Sequence, residues 1–158
     1  MEQSGVEVLL QSLKKKNVVL DRMIELAQRQ EEMLKQENLD VEGLDRILEE
    51  QDKLVTELDK LDQGFELVYD RCRSQITGNK EVYRNEIKAM QECIQQITAK
   101  ISTINACNMR NKIMAETQFK KEKQAISQSV SRTKAARNYY NSMNKLNYVS
   151  PQFYDNKK

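Results

Sequence analysis

The sequence predicts an all-α fold: an antiparallel bundle of three long helices, the third extending beyond the others or folding back as a fourth C-terminal helix. Three observations predict it. The 158-residue chain has four glycines and a single proline, Pro151, so reversals of direction are few. Charged residues make up 32% of it, and with the Gln and Leu around them they favour extended helices over sheets. Apolar residues recur at alternating spacings of three and four, the period of a helix face packed on another helix.

The first helix is expected from about Gln3 to Gln36, because Val6, Leu9, Leu13, Leu20, Ile24, Ala27 and Leu34 form one stripe. Lys16 and Asn17 interrupt that stripe, and the long stem of Lys16 lets its ammonium snorkel to water. Around Asn38, Asp40 and Gly43 the phase is lost and capping residues gather, which marks a short connection. The second helix carries the cleanest seam: Leu44, Ile47, Gln51, Leu54, Leu58, Leu61, Phe65, Val68 and Cys72. Gly64 lies within it and predicts a bend or a close approach of a neighbouring helix. Thr77, Gly78 and Asn79 break the pattern, with Gly78 ending one helix and Asn79 starting the next. From Lys80 the same rhythm resumes through Tyr83, Ile87, Met90, Ile94, Ile97, Ile101 and Ile104.

After Ile104 the seam turns polar at Asn108 and Asn111. Beyond Ala115, only Phe119, Ile126 and Val130 are large and apolar before Tyr139. At about 1.5 Å per residue the first two helices and the stretch to Ala115 have similar lengths, near 50 Å. Residues 1–115 are therefore expected to close into a left-handed antiparallel bundle. Residues 116–148 form an amphipathic basic helix with too little apolar surface to satisfy itself, and 149–158 a flexible aromatic tail. A segment of that kind is expected to order on a partner whose groove supplies the missing contacts. The alternative is completion by a second copy of the chain, which leaves a homodimer open.

Charge is divided along the chain. Asp21–Asp70 holds 16 acids and 6 bases, whereas Asn105–Lys158 holds 11 bases and 3 acids. The basic end, with Lys120, Lys121, Lys123, Arg132, Lys134 and Arg137, could touch nucleic acid electrostatically, but no recognisable reading module accompanies it, so nucleic acid is not an expected partner.

Enzymatic chemistry is not expected. There is no histidine, which removes the commonest general base and the usual partner of a nucleophilic Ser or Cys. The glycines lie too far apart for a phosphate loop, and the acids from Glu49 to Asp62 spread over solvated helix faces. Cys72, Cys93 and Cys107 are an odd, widely spaced set, so neither a zinc site nor a disulfide framework is indicated, and no cofactor is expected. Cys72 reads as a small apolar core residue. No segment approaches the roughly 18 apolar residues of a membrane helix, and no secretory leader is apparent, so a cytoplasmic protein without membrane insertion is expected.

The last 21 residues, Asn138 to Lys158, hold five of the nine Tyr and Phe residues, separated by Asn, Ser and Lys. Rigid aromatics with polar spacers suit an interface better than a core. The expected partner-binding stripe is Phe119, Ile126, Val130, Tyr139, Tyr140, Met143, Leu146 and Tyr148.

The stretches ENLDVEGLDRILEEQDKL, NKEVYRNEIKAMQ and, above all, KAARNYYNSMNKLNYVSPQFYDNKK resemble the FlgN-type flagellar export chaperones in their Gram-positive, clostridial form. The resemblance implies a cytosolic chaperone for hook-filament junction proteins. It would shield their terminal helices from premature assembly and deliver them to the type III export apparatus, meeting export gate and ATPase components there. It also implies that the C-terminal region takes cargo and that an aromatic in it docks on the gate. Tyr139, Tyr140 and Tyr148 are equal candidates for that aromatic. The readings that compete with a chaperone are a homo-oligomeric structural coiled coil or scaffold and, behind it, a basic nucleic-acid accessory protein.

Overall fold

A computed structural model describes residues 4–125 and Asn138. Three helices account for nearly all of them: α1 (Gly5–Leu34), α2 (Val41–Gly78) and α3 (Arg84–Ala125). Each start and stop has a local cause. Ser4 caps α1 through its hydroxyl, which accepts from Glu7 N at 3.2 Å. Asp40 caps α2 by accepting from Gly43 N at 2.9 Å, and Glu42 sits in the acid-favouring first turn. Asn79, expected to start the third helix, instead closes the second: its N–H bonds Ile76 O and its side-chain amide donates to Gln75 O. A turn over 79–83 follows, so α3 begins at Arg84 and not at Lys80.

Contacts between helices set the direction of travel. Lys16 meets Asp62 and Gln30 meets Gln51, so α1 and α2 run antiparallel. Asn17 meets Cys93 and Ala27 meets Asn111, so α3 runs parallel to α1. The order is up, down, up, with α1 central: the backbones of α2 and α3 both run close along it and approach each other far less.

The apolar core has two parts. The larger joins Leu13, Leu20 and Met23 of α1 to Leu58 of α2 and to Ile94, Ile97, Ile101 and Ile104 of α3. The smaller lies near the α1–α2 connection and joins Leu34, Leu44, Leu48 and Ala115, with Phe119 packed against it. Each fully buried Leu or Ile contributes about 1.5–3 kcal/mol relative to exposure. Between the two parts lies a polar layer of Gln30, Gln51, Asn108 and Asn111, all buried.

The polar turn of the third seam therefore does not end its burial. Asn111 Nδ2 donates to Ala27 O at 2.9 Å, and Gln51 Nε2 donates to Gln30 Oε1 at 2.8 Å, so facing amides and a carbonyl replace the missing apolar contacts. The Asn108 amide has no hydrogen-bond partner among the described residues.

Two expectations are corrected. Lys16 does not snorkel: its side chain is 2% exposed, and its ammonium meets Asp62 Oδ1 at 2.7 Å. An interhelical carboxylate holds it inside. Gly64 admits no close neighbour, since a Cβ there would meet nothing within 4 Å, and α2 runs through it unbroken. The close approach occurs at Gly5, where a Cβ would collide with Cys72 Sγ. That contact also accounts for Cys72 as a buried core residue.

Candidate binding surface

The C-terminal half of α3 is placed by its polar contacts as much as by apolar ones. α1 has no basic residue in its last turn, so its terminal carbonyls need another donor. Gln118 of α3 supplies it: Nε2 donates to Leu34 O at 3.1 Å and to Gln36 O at 3.0 Å. Gln118 thus lies level with the end of α1, and α3 continues for seven more residues to Ala125, about 10 Å of helix.

On this half of α3 the outward face differs from an ordinary solvated face. Met109 and Ile113, one helical turn apart, are 68% and 60% exposed. Exposed bases flank and follow them: Arg110, then Lys120, Lys121 and Lys123. Apolar side chains set among bases suit an amphipathic partner better than water. The off-seam pair Met109 and Ile113 was not among the expected stripe, although its spacing of four on a helix was readable.

Of that expected stripe the structure places Phe119, half-buried against Leu34, Leu44, Leu48 and Ala115. Ile126, Val130, Tyr139, Tyr140, Met143, Leu146 and Tyr148 lie outside the described residues.

Ion pairs tie α1 to both of its neighbours. Arg110 meets Glu31 at 3.1 Å, and its guanidinium holds the Glu31 carboxyl below its ordinary value, with Cys107 Sγ adding a further contact at 3.6 Å. Burial raises the Cys107 thiol, and the Glu31 charge raises it further, so this cysteine is poorly placed to act as a thiolate. Arg22 grips both oxygens of Glu50 at 2.6 and 3.0 Å, and that bond holds the Glu50 carboxyl low. Among the described residues no group of three or more His, Cys, Asp or Glu side chains could hold a metal ion, and no helix is long and apolar enough to cross a membrane.

Comparison with protein families finds FlgN protein, matched over residues 1–147, essentially the whole chain. The chain belongs to the FlgN family. Membership makes it a flagellar export chaperone, the first of the readings its sequence offered. No solved structure matches the chain. The three-helix arrangement therefore stands on its own contacts, and the FlgN match spans both the bundle and most of the segment that follows α3.

Proposed function

We propose that this FlgN-family protein works in the cytosol by binding alone, with no reaction of its own, and that residues 116–148 with the tail 149–158 hold its cargo. The cargo class is the hook-filament junction proteins, whose terminal helices must be kept from polymerising before export. Residues 1–115 act as the scaffold that presents the binding segment. Delivery to the type III apparatus follows through export gate or ATPase components, with Tyr139, Tyr140 and Tyr148 the candidates for contact with the gate.

The observation that carries this reading is the change in α3 along its length. Up to Ala115 its inward face is buried, whereas past Gln118 the helix outruns α1 and displays Lys120, Lys121 and Lys123. The sequence then continues into the segment holding Ile126, Val130, Met143, Leu146 and five aromatics. An apolar helix lying on these side chains would recover about 25 cal/mol per Å² buried, less the cost of ordering both partners, which suits a chaperone that must release what it binds.

The test is capture of junction proteins from native cytosol by the intact chain and by its Tyr139→Ala, Tyr140→Ala, Tyr148→Ala triple variant. Loss of capture with unchanged helicity supports the assignment. Undiminished capture by the triple variant and by a chain ending at Ala125 would place cargo binding elsewhere.

A further inference from the structure

Because the backbones of α2 and α3 lie closer to α1 than to each other, a cleft of about 940 Å³ opens between them at the end of the bundle that holds the 79–83 turn. Leu9 and Ile94 form its floor, and half-buried Phe65, Tyr69, Ile87 and Met90 form its walls. Phe65 and Tyr69 stack with ring centroids 6.1 Å apart, so the α2 wall carries a paired aromatic anchor. Along α2 the cleft runs from Phe65 to Thr77, about 18 Å of helix, or three turns.

Its rim is charged with one dominant sign. Lys80, Arg84 and Lys88 line it at intervals of four and are exposed, with Glu81 the one acid in the lining. None of the three bases joins an ion pair among the described residues. A trough with an apolar floor and a charged rim, between two helices over a third, is the place a fourth helix would complete, and the basic rim selects one with acidic flanks.

We propose that this cleft is a second docking surface, separate from the C-terminal cargo segment, for an acidic amphipathic helix of about three turns in a partner protein. The chain's own basic end is a poor occupant, since from Asn105 onward it carries 11 bases against 3 acids and would meet like charge on the rim.

The probe is a labelled synthetic helix of about 15 residues with a Leu/Ile stripe and Glu flanks, compared with the same stripe carrying Lys flanks, titrated against the full-length protein by fluorescence anisotropy. The acidic helix is expected to bind roughly tenfold tighter or more, with an advantage that shrinks at high salt. A Lys80→Glu, Arg84→Glu, Lys88→Glu variant, altered only at exposed positions, should reverse the preference, and Ile87→Asp should abolish binding of both. A photo-crosslinker replacing Tyr69 should capture the acidic helix. The Tyr139, Tyr140, Tyr148 triple variant should bind it as the parent does, which separates this surface from the cargo segment. Equal binding of the two helices, or an affinity untouched by charge reversal, overturns the proposal. So does crosslinking to the chain's own residues 126–158, or a dimer in sedimentation that the charge-reversed variant loses, because the occupant would then be the tail or a second copy.

Discussion

Single residues divide this bundle into contacts that stabilise it and contacts that specify it. Lys16 is 2% exposed and Asp62 is 30% exposed, so the two ends of their bond are unequal. Burial lowers the Lys16 ammonium from its ordinary value, and the bond to Asp62 opposes that shift. Asp62→Ala removes the carboxylate and keeps the buried charge, and should cost about 3 kcal/mol. Lys16→Met keeps a similar stem and leaves a carboxylate that can hydrate, and should change stability by less than about 1 kcal/mol. Urea unfolding of the two variants measures the asymmetry, and equal losses would contradict it. Glu31 offers a pH test. Arg110 holds its carboxyl below the ordinary value, so the stability it contributes is present above the ordinary carboxylate range and is lost as pH falls through the depressed folded value. Arg110→Ala should move the Glu31 titration, followed by NMR, up toward its ordinary value. It should also flatten that part of the acid dependence of melting.

At the scale of elements, the polar layer splits one core into two. Asn108 is buried with no hydrogen-bond partner among the described residues, a burden of about 1–3 kcal/mol. Asn108→Leu should therefore raise the urea midpoint, by about 1 kcal/mol in stability, with an unchanged denaturant slope. Gln118→Ala should act oppositely, costing about 1 kcal/mol and speeding amide exchange around the α1–α2 connection, because the carbonyls of Leu34 and Gln36 lose their shared donor. Helices and connections were legible in the sequence, since a stripe of period three-and-four, the cap at Asp40 and the break at Gly78 are local signals. What a stripe does not encode is which neighbour it meets. Leu54, Leu61 and Phe65 lie on a clean seam yet are only half-buried at the edge of the larger core, because α3 lies closer to α1 than to α2. The burial of Lys16 was illegible for a similar reason, its partner lying 46 residues away. The cargo stripe was read from composition, and of its members the structure places Phe119 alone, against the bundle.

Across the whole molecule, the boundary between scaffold and binding segment is a question of where contacts with α1 and α2 cease. Residue 115 was the boundary that equal helix lengths predicted, but two contacts beyond it tie α3 to the rest: Gln118 on the end of α1 and Phe119 on the smaller core. Along α3 the 79–83 turn precedes the first residue and Gln118 lies near the last described turn, so the described parts of the two proposed surfaces are about 50 Å of helix apart. A partner at either need not displace the other. Truncation distinguishes the two boundaries, because tolerance to a cut depends on the burial and hydrogen bonding of what is removed. A chain ending at Ala115 loses both ties and should be destabilised by about 3 kcal/mol, with faster amide exchange at Leu34–Gln36. One ending at Ala125 keeps both ties. It should unfold at the same denaturant concentration as the full chain, retain the acidic-helix site at Lys80, Arg84 and Lys88, and fail to capture junction proteins. Equal stability of the two truncations would show that the ties of Gln118 and Phe119 contribute little. A marked loss in the longer one would show that residues 126–158 are part of the bundle's own support and not a segment kept for a partner.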